Sequence, residues 1–130
     1  MGLDNGINIR RNTAPECASK IFHEEEWEKK YNHIDVAYWR KCWNVRGIIF
    51  ELLEIYDFND SQTPMTADDV KRVVAELKKL NSVNYRDDGN CIWDWDDFKR
   101  INCRNIKALK QLVKLMKKYP TMEVYFYDSW

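Results

Sequence analysis

The sequence changes its period at Pro120. Upstream, from about Asp97 to Tyr119, Phe98, Ile101, Leu109, Leu112, Val113, Leu115 and Met116 recur at helical spacing. Downstream, Met122, Val124 and Phe126 alternate with Glu123, Tyr125 and Tyr127, as a strand requires. Proline stops the helix and biases the residue before it toward extended geometry, so the switch is sharp. A long amphipathic helix with a half-buried strand close behind it commits the chain to a mixed fold.

The N-terminus supplies a second strand. Leu3, Ile7 and Ile9 share parity, with Gly6 relaxing the pattern between them. Between the terminal strands the periodicity predicts further helices. Ile21 to Lys30 is short and acidic, with helical character. Ile34, Val36, Ala37, Trp39, Cys42, Trp43, Val45, Ile48, Ile49, Leu52, Leu53 and Tyr56 recur at steps of three and four, which predicts a long helix over about 34–56. Asp57 to Met65 reads as a polar loop with Pro64 in it. Thr66 is the expected N-cap of a helix to about residue 80, with Asp69 in the capping-box position. Asn81 to Asn90 reads as turns, and Cys91 to Trp95 as a short strand. The expectation is a single small α+β domain over residues 1–130. Its terminal strands pair in a small sheet, and about three helices pack on one face.

Charge and cysteines narrow the classes. Lys plus Arg and Asp plus Glu both total 21, so the net charge is zero, unlike a generic DNA binder or an acidic mimic of DNA. No apolar run is long enough for a membrane helix or a signal-peptide core. Cys17, Cys42, Cys91 and Cys103 form no Cys-x-x-Cys pair and read as free thiols, which places the chain in a reducing cytoplasm.

Motifs of known chemistry are incomplete. His23-Glu24-Glu25-Glu26-Trp27 begins like a zinc-protease helix, but Trp27 stands where the second histidine belongs. Asp57, Asn59, Ser61 and Asp68 have calcium-loop spacing, but Gln62 replaces the turn glycine and Pro64 intrudes. No catalytic residue, metal ligand set or cofactor motif is read from the chain. A carboxylate pair drawn from Asp4, Asp94, Asp96 and Asp128, with a divalent metal, is the one hydrolytic arrangement the residue types allow.

Two surfaces stand out as binding candidates. After Asp97 the last helix carries Lys99, Arg100, Arg104, Lys107, Lys110, Lys114, Lys117 and Lys118 with no acidic residue. They fall within an arc of about 140° opposite the apolar face. Arg100, Arg104, Lys107, Lys114 and Lys118 mark this basic face. A solvated face ordered by the helix dipole accounts for it, and so does a strip for nucleic acid or an acidic partner. The second surface is aromatic. Trp93 and Trp95, and Tyr125 and Tyr127, share faces if their segments are strands, either as packing or as walls that stack a flat ligand.

Met1-Gly2-Leu3-Asp4, Ala37-Tyr38-Trp39-Arg40-Lys41 and Tyr125-Phe126-Tyr127-Asp128-Ser129-Trp130 occur together here. In these three blocks the chain resembles a group of small proteins of bacteriophages and prophages. At residues 5–6 it has Asn-Gly where that group has Met-Tyr. The resemblance implies phage origin, a cytoplasmic setting in the host and an accessory or counter-defence role. It brings no reaction or ligand.

If the terminal strands are neighbours, Asp4, Tyr127 and Asp128 come close, with Tyr38, Arg40 and Lys41 beside them; Trp130 ends the aromatic terminus. Arg40 is then expected to bind Asp4 or Asp128 bidentately. Either this locks the termini together or it reads a small anionic ligand. With Trp93, these residues form the candidate contact set. The expected function is a non-enzymatic binding protein that occupies a host protein or a nucleotide-like ligand, as an inhibitor would. The alternatives are the metal-dependent hydrolase or nuclease, and an oligomer-forming accessory protein in which the basic helix meets the acidic 87–97 segment of a neighbour.

Overall fold

The computed structural model describes residues 4–55, 61–85 and 93–129. Four strands form one antiparallel sheet: β1 (Asp4–Arg10), β2 (His33–Arg40), β3 (Ser61–Met65) and β4 (Val124–Ser129), in the order β2-β1-β4-β3. The terminal strands are therefore the two central ones, paired from Asp4↔Ser129 to Ile9↔Val124. Helices α1 (Cys17–Ile21), α2 (Trp43–Leu52), α3 (Ala67–Lys78) and α4 (Trp95–Lys118) complete the α+β fold, with 3₁₀ turns at Arg11–Thr13 and Glu26–Lys30. Ile7, Ile9, Trp39, Val124 and Phe126 point from the sheet into a core shared with Val45 and Ile49 of α2, Val70 and Leu77 of α3, and Leu109 and Leu112 of α4. Among the described residues no helix is long and apolar enough to cross a membrane.

The region expected as one helix over 34–56 divides into β2 and α2. Register explains the misleading spacing. Ile7 pairs with Ala37 and Asn8 with Asp35, so Val36 is an extra residue in β2. Such a bulge puts Ile34 and Ala37, three apart, on the same inner face, and the step mimics a helix. From there Ala37 and Trp39 are buried while Tyr38 and Arg40 are exposed. Lys41 then takes φ 50° and turns the chain into α2.

The 61–65 segment is also a strand rather than a loop. β3 lies at the sheet edge, where a proline is tolerated because its missing N–H breaks no ladder. Thr66 caps α3 through a reciprocal box with Asp69, as expected. The strand expected at 91–95 is corrected where it is described: Trp93 is irregular, Asp94 caps α4 through the Asp97 backbone N–H, and Trp95 opens the helix. Its Asp96 and Asp97 at the start and Lys117 and Lys118 at the end match the helix dipole. Within 21–30, α1 ends at Ile21, His23 takes φ 53° and a 3₁₀ turn follows, so no zinc-protease helix forms.

Candidate functional site

Strand parity gives the sheet a second face. With Ile7 and Ile9 turned to the helices, Asp4, Gly6, Asn8 and Arg10 of β1 face outward. The registers then assemble cross-strand rows. Tyr38, Gly6, Tyr127 and Gln62 form one row, and Asp35, Asn8, Tyr125 and Pro64 the next. Rows are about 7 Å apart and strands about 4.8 Å apart. Gly6 leaves a gap between two tyrosines. Tyr127 leans into it so closely that a Cβ on Gly6 would lie 2.7 Å from Tyr127 Cε1 and 2.6 Å from the Ala37 carbonyl oxygen.

An open cavity of about 410 Å³ lies over these rows, lined by Asn8, His33, Asp35, Tyr38, Gln62, Tyr125 and Tyr127, with Asp128 and Ser129 of β4 also bordering it. The Tyr38 hydroxyl donates to Asp4 Oδ1 at 2.7 Å. Asn8, with its amide nitrogen toward Asp35, donates to Asp35 Oδ1 at 2.8 Å. His33 Nε2 stands 3.6 Å from the same carboxylate, and the Tyr31 ring stacks on the His33 ring at 5.6 Å. Partial desolvation, with the side chain still 43% exposed, is the main cause that pushes the Asp35 carboxyl above its ordinary range; nearby Glu28 and Glu24 add to it and His33 opposes it. Burial first, then the bond to Asp4, raise the Tyr38 phenol to about 12. Burial, with the negative charge of Asp35 and Asp4, raises the Tyr127 phenol further.

The expected contact set is only partly brought together. Asp4, Tyr38 and Tyr127 share the outer face. Arg40 stands at the exposed end of β2 and Lys41 in the turn after it. The expected Arg40 pair is corrected: Arg46 of α2 takes Asp128, with Nε and Nη2 each donating at 2.9 Å to a separate carboxylate oxygen. This pair lies on the inner face, with the Arg46 and Asp128 side chains 6% and 0% exposed. The Arg46 guanidinium also lies 4.0 Å from the Phe50 ring centroid. Trp93 lies elsewhere, lining a separate cavity with Asp97, Arg100 and Arg104. Trp130 is outside the described residues.

Asn8, His33, Asp35 and Gln62 escaped the sequence reading, whereas Tyr125 was read with Tyr127 as one aromatic face. Once β2 is read as a strand with one extra residue, its outward parity names His33, Asp35 and Tyr38 together. Gln62 and Pro64 become visible only when the edge strand is recognised.

The candidate carboxylates for hydrolysis are dispersed. Asp4 faces outward, Asp128 faces inward against Arg46, and Asp94 caps α4. Among the described residues no three His, Cys, Asp or Glu side chains gather to hold a metal. Residues 57–60 of the calcium-like spacing lie outside the described residues; Ser61 opens β3 and Asp68 lies in the first turn of α3. Most of the acidic 87–97 segment also lies outside them. Cys17 and Cys103 are exposed free thiols, Cys42 is buried, and Cys91 is outside the described residues.

The basic residues of α4 lie on its exposed side. Arg104, Lys107, Lys114 and Lys118 are exposed and, among the described residues, form no ion pair, whereas Arg100 pairs with Asp97. No protein-family model, curated protein or solved structure matches the chain.

Proposed function

We propose that this chain is a phage-encoded accessory protein that works by binding, and that the outer face of its sheet is where it holds its partner. The observation that carries this reading is the cavity of about 410 Å³ walled by Tyr38, Tyr125 and Tyr127. Concave sites with aromatic walls and a few convergent polar groups are the usual form of a small-ligand site. A chain that needed this sheet only as a scaffold gains nothing from leaving Asp35 and Tyr38 uncovered on it. Phage origin rests on the three sequence blocks. Two of them, around Tyr38 and around Tyr127, supply cavity walls. Occupation of a host ligand or of a host protein's side chain by such a site is inhibition without turnover, which fits a counter-defence role.

Native mass spectrometry of protein purified gently from a bacterial host tests the reading. A stoichiometric added mass that leaves on denaturation, and is absent from a variant carrying Tyr38→Ala and Tyr127→Ala, is the expected result. Equal retention by that variant places the binding elsewhere and overturns it.

The basic face of α4 supports a second reading, in which nucleic acid or an acidic host protein docks there. Its cations lie along one side of the helix with no acidic residue after Asp97. Affinity that falls steeply with salt is its signature.

A further inference from the structure

We propose that the outer-face cavity takes an organic cation, an alkylammonium or guanidinium group, with Asp35 as its counter-ion and Tyr38, Tyr125 and Tyr127 as its walls. This rests on the binding reading above and assigns its ligand class.

The charge inventory carries the inference. Two carboxylates, Asp35 and Asp4, stand on this face, and among the described residues no lysine or arginine lines the cavity. The third carboxylate nearby, Asp128, is neutralised by Arg46 on the opposite side of the sheet. Two arginines stand at the rim. Arg10 is held by Glu123 at 2.7 Å and its guanidinium already lies 5.7 Å from the Tyr125 ring centroid, while Arg40 stands in the row of Asp4, beyond Tyr38. An anion entering here would meet acidic groups and the negative faces of phenol rings. A cation meets its preferred surroundings, since the ring quadrupole attracts positive charge within about 6 Å.

Tyr125 is 8% exposed and lines the cavity. Its hydroxyl has no hydrogen-bond partner among the described residues and is open to solvent, so its oxygen is available to accept from an ammonium or guanidinium N–H. Asp35 is likewise under-used for a carboxylate. It accepts one bond, from Asn8, and faces His33 only at 3.6 Å. Carboxylates have about four acceptor positions. Both residues line the same cavity.

The same cation chemistry is offered by a free small amine and by a lysine or arginine side chain of a protein. The test follows tyrosine ring resonances of the full chain by NMR, at constant ionic strength. The titrants are choline, guanidinium, a short peptide with one lysine, and inorganic phosphate. Saturable shifts of the Tyr38, Tyr125 and Tyr127 signals with a cation are expected, with Kd near or below the millimolar range. Asp35→Asn is expected to weaken them about tenfold, a loss of about 1.4 kcal/mol. Preference for choline or for the peptide separates the two sources. Saturation by phosphate alone would leave the binding reading standing and refute the cation. The absence of saturation by any cation, or equal affinity in Asp35→Asn, also overturns it. Asp35 is exposed enough for the variant to fold, and Tyr38→Phe, which removes the bond to Asp4 but keeps the ring, is expected to retain binding.

Discussion

Arg46 and Asp128 stand 82 positions apart in the chain and meet through two parallel hydrogen bonds of 2.9 Å. The pair ties α2 to the last strand beneath the sheet. Both charges are out of water, so each depends on the other. It also disposes of the acidic charge of Asp128, which leaves Asp35 and Asp4 to set the potential of the outer face.

Removing one partner strands the other. Arg46→Ala and Asp128→Ala are each expected to lower the unfolding free energy by about 3–5 kcal/mol. The double variant Arg46→Met with Asp128→Leu is expected to lose much less than the sum, because it leaves no buried charge. Denaturant midpoints of the three proteins decide this. Additive losses would show that the pair is not energetically coupled.

The sequence reading named Arg40 for this role, and the reason is instructive. Taken as one helix over 34–56, the chain puts Arg40 nearest the termini. In the structure residue 40 ends a strand and points outward. Arg46 lies three and four residues before Ile49 and Phe50, on the apolar side of α2. An arginine among core residues requires a carboxylate, and that signal was present but unread. The terminal strands, α3 and α4 were legible because their periods are unbroken and their caps conventional. β2 was not, because one extra residue at Val36 turns alternation into a three-residue step. β3 was not, because an edge strand tolerates the proline that marks a loop elsewhere. The site inherits these two errors: Tyr38 and Tyr127 were named from the resemblance blocks, while Asp35, Asn8 and Gln62 depend on cross-strand register.

Gly6 has no room for a side chain. A Cβ there would meet the Ala37 carbonyl at 2.6 Å, and a backbone oxygen inside a sheet cannot retreat. Gly6→Ala is expected to destabilise by about 1–3 kcal/mol, the range for overpacking. It should also displace the Tyr127 ring, visible as a changed ring-current pattern in NMR. A neutral effect on both would mean that the sheet flexes at this row.

Asp35 is held at a cost to stability. Its folded pKa is raised, chiefly by partial desolvation of a side chain that stays 43% exposed, so the effect is small. The folded state therefore binds the proton more tightly than the unfolded chain. The stability it contributes is fully present below the ordinary carboxylate pKa and is lost as pH rises through the raised value. Asp35→Asn is expected to be more stable than the parent at neutral pH, with the difference shrinking as the carboxyl is protonated in acid. Thermal melts across pH 3–7 check the sign. A variant less stable at neutral pH would show that Asn8 and His33 outweigh the burial penalty. A gain in stability accompanied by loss of cation binding would be the trade-off expected of a functional carboxylate.

Tyr38 titrates late. Its phenol, raised to about 12 by burial and by the Asp4 carboxylate, keeps its proton in the folded state after an unfolded tyrosine near 10 has lost its own. Its contribution to stability is intact below pH 10 and declines toward 12. Asp4→Asn keeps a hydrogen-bond acceptor but removes the charge, so the Tyr38 ultraviolet titration is expected to move down without reaching the free value, because burial is the larger cause. No movement would mean that the charge of Asp4 is fully screened.

The basic face is built against its own repulsion. Lys110 lies against Lys78, and Lys117 against Lys71, each held below the ordinary lysine range first by contact with the facing ammonium. Positions 78 and 71 on α3, and 110 and 117 on α4, are each seven residues apart, so the two pairs are separated by about 10 Å along antiparallel helices. Lys110→Glu replaces a repulsion with an attraction to Lys78. Its Tm is expected to exceed that of the parent at low salt, and the gain to fade near 1 M, where the screening length is about 3 Å. Lys114→Glu changes the same charge on the same helix. Lys114 shows no such like-charge contact, so its substitution is expected to bring a smaller gain or none. If an acidic partner docks on α4, both substitutions weaken it while only Lys110→Glu stabilises the fold. Opposite movement of stability and affinity in Lys110→Glu then separates a surface kept for binding from one that is merely solvated. If both substitutions leave the salt dependence of partner binding unchanged, the strip is a solvated face.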